Sequence, residues 1–157
     1  MRVMRQLVLA GAKADALITG VARRYGLSHA ALNALAVIEG GGGPLPAGEI
    51  STQMHVSTAT MTSVLDTLER KGYVRRQPDP ADRRRVLVDI TPDAQDLLDR
   101  VLPAVQQAVT AAVSPLGDEA LLALLDGLAA ASGAMDAAPR DLPPPPARRA
   151  PGRLRRG

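Results

Sequence analysis

Residues 57–91 read STATMTSVLDTLERKGYVRRQPDPADRRRVLVDIT, and this stretch decides the fold. Ser57 is a typical helix N-cap, and Gly72 stands where a helix commonly ends in the left-handed conformation. The apolar residues between them recur at three- and four-residue spacing, which predicts a helix with one buried face. The residues of that face are Met61, Val64, Leu65 and Leu68.

The second half of the stretch predicts a β-hairpin. YVRRQ (residues 73–77) and RVLVDI (residues 85–90) are short segments rich in β-formers, and the Pro- and Asp-rich segment 78–84 between them is typical of a turn. Three consecutive arginines, Arg83, Arg84 and Arg85, stand at the predicted tip. Taken alone, such a charge run is more often a solvated loop than a binding element.

The residues before Ser57 predict a second helix close by. AGEISTQM (residues 47–54) suits a short helix, and His55-Val56 leaves room only for a tight turn. Two helices joined by so short a turn form a helix-turn-helix, and a hairpin directly after it makes a winged helix. Downstream of the hairpin, Thr91-Pro92 has the N-cap and first-turn chemistry of a further helix.

The flanking sequence is helical. Apolar periodicity predicts helices over about 3–25, 28–39, 92–113 and 118–135, and the Gly- and Pro-rich segment 40–46 separates the second helix from the third. Residues 137–157 lack periodicity and predict a disordered Pro- and Arg-rich tail. We therefore expect a mainly α fold with a two-stranded β wing, a winged helix-turn-helix flanked by terminal helices.

Composition narrows the possible functions. The 157 residues carry a net charge of +3, but the tail holds six arginines against Asp141, so the remainder of the chain is slightly acidic. No cysteine is present, His29 and His55 are isolated, and the glycine run 40–43 lacks the Gly-Lys-Ser/Thr ending of a phosphate loop. We expect no enzyme activity, cofactor or metal site. Without a signal peptide or a long apolar run, we expect no membrane partner and a cytoplasmic location.

The outward face of the helix after Ser57 carries small and hydroxylated residues: Thr58, Ala59, Thr62 and Ser63. Such residues allow close approach to a DNA major groove, and methyl groups can contact thymine. A plain solvent-exposed face is the alternative, at about even odds from this helix alone. The hairpin that follows favours DNA, because an arginine at its tip is suited to the minor groove.

At this point the sequence resembles the MarR family of bacterial winged-helix regulators. The matching segments are LSHAALNALAVI (27–38), ISTQMHVSTATMTSVLDTLERKGYVRR (50–76) and DPADRRRVLVDITPDA (79–94). The resemblance implies a homodimer built by a helical region, residues 1–27 and 92–136, around a DNA-binding domain, residues 28–91. It further implies a transcriptional repressor that binds a pseudo-palindromic operator in double-stranded DNA. Release by a small-molecule ligand and regulation without an effector are the two alternatives.

Carried over position by position, the resemblance implies roles for individual residues. Arg84 would enter the minor groove with Asp82 positioning it, and Arg76 would brace the base of the wing. Arg83 and Arg85 would contact phosphates or stay solvated. The remaining predicted DNA-binding residues are Ser57, Thr58, Ala59, Thr62 and Ser63.

The family's effector site implies a small amphipathic or anionic ligand. The candidate residues are Arg23, Arg24, His29 and Asn33, although each is also an ordinary surface or capping residue. Thr58 and Ser63 replace the basic residues that many relatives carry on the recognition helix. That departure leaves open an alternative function, a winged-helix module for protein interaction or non-specific DNA binding without operator selectivity.

Overall fold

The computed structural model describes residues 2–82 and 84–137, which form six α-helices and three short strands. In chain order they are α1 (Arg2–Arg24), α2 (His29–Gly40), β1 (Leu45–Pro46), α3 (Ala47–Gln53), α4 (Thr58–Arg70), β2 (Val74–Pro78), β3 (Val86–Ile90), α5 (Pro92–Val113) and α6 (Gly117–Asp136). A 3-10 turn, Ser114–Leu116, separates α5 from α6. The predicted fold class, a winged helix-turn-helix, is confirmed.

The wing is part of a three-stranded sheet rather than an isolated hairpin. β2 and β3 pair antiparallel with Val74 opposite Ile90, and β1 adds to the other side of β3 with Leu45 opposite Val88. The sequence predicted only two strands. The third strand, Leu45–Pro46, is only two residues long and follows the glycine run. Two residues are too few to show the alternating apolar pattern that predicts a strand.

Side-chain caps fix where α2, α4 and α5 begin. The hydroxyl oxygens of Ser28, Ser57 and Thr91 accept hydrogen bonds from the N–H groups of Ala31 (3.1 Å), Thr60 (3.1 Å) and Ala94 (3.3 Å). Each bond satisfies one of the donors that a helix start leaves unpaired. The N-caps predicted at Ser57 and Thr91 are confirmed.

The core lies among α2, α4, α5 and the sheet. It buries the apolar face predicted for α4, with Val64 only half-buried, and Leu32, Leu35 and Ile38 of α2. The largest fully buried side chains are Leu35, Ile38, Ile50, Met61, Leu65, Leu68, Val88, Leu98 and Val101. With its apolar face fixed in this way, α4 presents the opposite face to solvent.

The chain divides into two compact units, residues 1–115 and 116–157. The first holds the winged helix together with α1 and α5. In the second, α6 exposes a row of leucines: Leu122, Leu124, Leu125 and Leu128 are 44–63% exposed. Of the predicted tail, residues 137–157, all but residue 137 lie outside the described residues.

The stretch Pro92–Asp136 contains a window that by length and composition could cross a membrane. None of that window is buried in the protein. The stretch is not one continuous α-helix, since the 3-10 turn intervenes and Gly117 has a φ of 73°. One such apolar helix is weak evidence for a membrane segment.

Candidate nucleic-acid interface

The turn of the helix-turn-helix is set by one residue in an unusual conformation. His55, between α3 and α4, has a φ of 52° and is the only non-glycine with positive φ among residues 2–82 and 84–137. The left-handed region costs an L-residue about 1–2 kcal/mol, so glycine is the usual choice at such a position. The strained turn lets α4 start at Ser57 directly after α3.

The outward face of α4 is where the sequence placed it. Thr58, Ala59, Thr62 and Ser63 are all exposed in the first two turns of the helix, opposite the buried Met61 and its neighbours. The hydroxyl of Thr62 donates to the carbonyl of Thr58 at 2.9 Å. Ser57, predicted as a DNA contact, uses its own hydroxyl as the N-cap. The assignment of these residues to DNA stays a prediction.

Arg76 ties the wing to α4. Its Nη1 atom on β2 lies 2.7 Å from Oδ1 of Asp66 and 3.0 Å from Oε2 of Glu69, both on α4. The Arg76 side chain is 27% exposed, so this pairing occupies a partly shielded position. Arg76 was predicted to brace the base of the wing, and the structure gives it two partners on α4. Its guanidinium charge offsets the charges of these two carboxylates.

At the wing tip, the acidic side chains turn toward the backbone. Asp79 is buried, accepts a hydrogen bond from the N–H of Ala81 at 2.8 Å, and lies 3.7 Å from Nε of Arg85. Asp82 accepts from the backbone N–H of Arg84 at 3.0 Å. Asp82 thus contacts the main chain of Arg84, and among the described side chains of the tip the acid that faces a guanidinium is Asp79.

The arginines of the tip have different surroundings. Arg85 is 54% exposed in its pair with Asp79, and its N–H donates to the carbonyl of Asp82 at 2.8 Å. Arg84 is exposed. The predicted contact of Arg83 falls on a residue outside those described. The tip therefore exposes the side chains of Arg84 and Arg85 beside that of Asp82.

The C-terminal end of α4 is anchored to both neighbouring long helices, which the sequence did not reveal. Nζ of Lys71 donates to the carbonyl of Gly26, just after α1, at 2.7 Å. The Thr91 hydroxyl, at the start of α5, donates to the carbonyl of Gly72 at 2.7 Å. These bonds join residues 45 and 19 positions apart, so no local spacing could have indicated them.

The four candidate effector residues do not form one cluster. Nδ1 of His29 is hydrogen-bonded to Asp15, and its Nε2 lies 3.1 Å from Nδ2 of Asn33. Both ring nitrogens thus have protein partners. Arg23 is exposed at the end of α1.

Arg24 faces a different place, a cavity of about 330 Å³ between α1 and α5. Its other lining residues are Val21, Tyr25, Ala104, Gln107, Ala108 and Ala111. Of the four candidates, only Arg24 lines this cavity. Within the part of the chain described, no three His, Cys, Asp or Glu side chains stand together in a group that could hold a metal ion.

Residues 25–85, which include α2, the helix-turn-helix and most of the wing, match the MarR family. The helix-turn-helix transcriptional regulator PecS of Dickeya dadantii is 30% identical over 107 residues, 67% of this chain and 64% of PecS. The transcriptional repressor NicR of Pseudomonas putida is 34% identical over 65 residues, 41% of each protein. The chain thus spans less than two thirds of these curated relatives.

Among solved structures, a mutant MarR from E. coli complexed with operator DNA superposes with a TM-score of 0.77. The superposition covers 83% of this chain and 94% of that chain at 23% sequence identity. At that identity the similarity shows the fold alone.

Proposed function

Because the chain belongs to the MarR family of winged-helix proteins, we propose that it is a transcriptional regulator that binds duplex DNA. We propose further that it is a repressor, acting as a homodimer on a pseudo-palindromic operator. The observation that carries the proposal is an exposed, small-residue face on α4, joined through Arg76 to an arginine-bearing wing.

The geometry of α4 and the wing suits the two grooves of B-DNA. A major groove about 12 Å wide admits an α-helix, and small side chains on its outward face permit close approach. The minor groove has a negative potential that attracts inserted arginine, and Arg84 is exposed at the wing tip. Arg76 offsets Asp66 and Glu69, which would otherwise repel phosphate.

Exposed apolar side chains on the terminal helices support the homodimer. In α1, Val3, Met4 and Val8 are 58–74% exposed, and α6 exposes its leucine row. Clusters of exposed apolar residues mark association surfaces. A two-fold dimer places two copies of α4 against two half-sites, which is why we propose a pseudo-palindromic operator.

The experiment that tests the proposal is a gel shift with the DNA upstream of the protein's own gene, at two salt concentrations. We expect tight binding to one site and at least 100-fold weaker binding to a shuffled duplex of equal length. Size-exclusion chromatography with light scattering should give the mass of a dimer. A monomeric mass would contradict the dimer proposal.

The alternative is a winged-helix module without operator selectivity. It is favoured by one observation: no Lys, Arg, Asn or Gln occurs on α4 before Arg70. The matched control is a variant with the six tail arginines changed to glutamine. Binding that is salt-sensitive, unselective and lost in this variant would support the alternative, because it would come from the tail charge.

We also propose that a small anionic or amphipathic ligand releases the DNA, and that it binds at the cavity between α1 and α5. Arg24 supplies a cation there, and about 330 Å³ is within the usual range for small-molecule sites. Benzoate, an aromatic carboxylate, should weaken the binding of the unmodified protein to the operator. It should not weaken operator binding of the Arg24→Gln variant. Equal release in both would contradict this location.

A further inference from the structure

The outward face of α4 lacks the side chains that recognise base edges through paired hydrogen bonds. Specific contacts of that kind use Arg or Lys for guanine and Asn or Gln for adenine. Between Thr58 and Glu69 the helix has none of these four residue types. Arg70, in the last turn, directs Nε to the carbonyl of Asp66 and Nη2 to the hydroxyl of Thr67, at 3.3 and 3.2 Å.

The other polar groups along this helix are largely engaged within the protein. The Thr62 hydroxyl donates its only hydrogen to the carbonyl of Thr58, so that group can no longer donate to a base. The Asp66 carboxylate, which would otherwise accept from cytosine, lies 2.7 Å from Nη1 of Arg76. Internal bonds therefore occupy the Thr62 hydroxyl and one oxygen of Asp66 at the centre of the face, while Thr58 and Ser63 on the same face are exposed.

Two methyl-bearing side chains lie at that centre. Ala59 and Thr62 are three residues apart, so they are neighbours on one helix face, and both are exposed. With the Thr62 hydroxyl turned to the helix backbone, the γ-methyl is the part of that side chain available for apolar contact. In the major groove the apolar partner of such groups is the 5-methyl of thymine.

On the basis of the proposed DNA-binding function, we infer that α4 selects its operator through thymine 5-methyl groups touched by Ala59 and Thr62. The half-sites would then carry A·T pairs opposite the first two turns of α4. The cations needed for affinity would come from the wing, and the base preference from these two methyl-bearing residues. Selective binding would then need no basic residue between Thr58 and Glu69.

The test starts with a library of random duplexes, from which the full-length protein selects its preferred operator. Each thymine of one half-site is then replaced by uracil, which removes the 5-methyl group and leaves the base-pair hydrogen bonds unchanged. We expect one or two positions at which uracil weakens binding about threefold to fivefold, the effect of losing one buried methyl contact.

Two substitutions at the same exposed position supply the matched comparison. Thr62→Ser keeps the hydroxyl and removes the methyl, so its affinity for the thymine operator should fall about threefold to fivefold. Replacing the thymine that residue 62 faces by uracil should then cause no further loss of affinity. Thr62→Val keeps a methyl and removes the hydroxyl, so it should bind the thymine operator within about twofold of the unmodified protein.

The possible failures are distinguishable. A library that yields no preferred sequence would overturn the proposed regulator and this inference with it. A preferred operator bound equally well with thymine or uracil, or one with G·C pairs throughout the α4 contacts, would overturn the inference and leave the regulator standing. The inference would also be overturned if Thr62→Val lost operator binding while Thr62→Ser kept it. The hydroxyl of Thr62, not its methyl group, would then recognise the base.

Discussion

The outward face of α4 and the tip of the wing are built in opposite ways. On α4 the carboxylates of Asp66 and Glu69 are offset by a cation from another element, and small side chains are left exposed. At the tip, Asp79 and Asp82 bond to the turn and arginine is left exposed. For the proposed DNA binding, we therefore expect the wing to supply charge-based affinity and α4 to supply shape and methyl contacts.

The largest effect should come from removing charge at the wing. Arg84→Ala should weaken operator binding by about 1–3 kcal/mol if the guanidinium enters the minor groove. It should weaken binding to an unrelated duplex as well, and reduce the slope of log K against log salt by about one. Fluorescence anisotropy over a salt series measures both quantities.

Arg100→Ala is the control for this prediction, because Arg100 is also an exposed arginine but lies on α5. Its operator affinity should stay within about 0.5 kcal/mol of the unmodified protein. The assignment of Arg84 to DNA would fall if Arg84→Ala bound as tightly as Arg100→Ala. The dimer mass should be unchanged in both variants.

A smaller effect should follow when the offset on α4 is broken. Arg76→Gln leaves Asp66 and Glu69 without their cation, so DNA binding should weaken by about 1 kcal/mol. The free energy of unfolding should fall by less than about 1 kcal/mol, because the carboxylates are 50% and 42% exposed. Anisotropy and urea unfolding measure the two quantities.

A triple variant tests whether the two carboxylates cause the loss of DNA affinity in Arg76→Gln. Combining Arg76→Gln with Asp66→Asn and Glu69→Gln removes the unpaired negative charges and should restore most of the lost DNA affinity. If the triple variant bound as weakly as Arg76→Gln alone, Arg76 would be acting on the DNA directly rather than through the two carboxylates.

The smallest effect concerns stability alone. His55→Gly removes the strain of a φ of 52° but adds the conformational freedom of glycine to the unfolded chain. The first term is about 1–2 kcal/mol and the second about 0.5–1 kcal/mol, so we expect a net gain near 0.5 kcal/mol. His55→Ala is the control and should give no gain; a stabilised His55→Ala would mean that strain is not the cause.

The elements of the winged helix could be predicted from the sequence because their signals are local. Ser28, Ser57 and Thr91 act as N-caps within three residues of their partners, and the apolar face of α4 repeats along a single helix. Signals of this kind do not depend on knowing the tertiary structure, and the predicted fold class is confirmed.

The details of the candidate site depended on contacts that sequence spacing does not encode. Arg76 was predicted to brace the wing, but its partners on α4 follow from how β2 packs beside that helix. Asp79 and Asp82 have similar sequence contexts, and only the folded turn shows that Asp79 faces Arg85 while Asp82 bonds the N–H of Arg84. The third strand was missed for the same reason.

The anchoring of α4 by Lys71 and by the Thr91–Gly72 bond has a mechanical consequence. The 13 residues of α4 span roughly 20 Å at 1.5 Å per residue. A tilt of about 10° about the anchored end would carry the opposite end through roughly 3–4 Å, close to the 3.4 Å that separates successive bases along a DNA strand. A slight rearrangement at the bonds that join the end of α4 to the segments beside α1 and α5 would therefore shift the first turn of α4 by about one base step along a DNA strand.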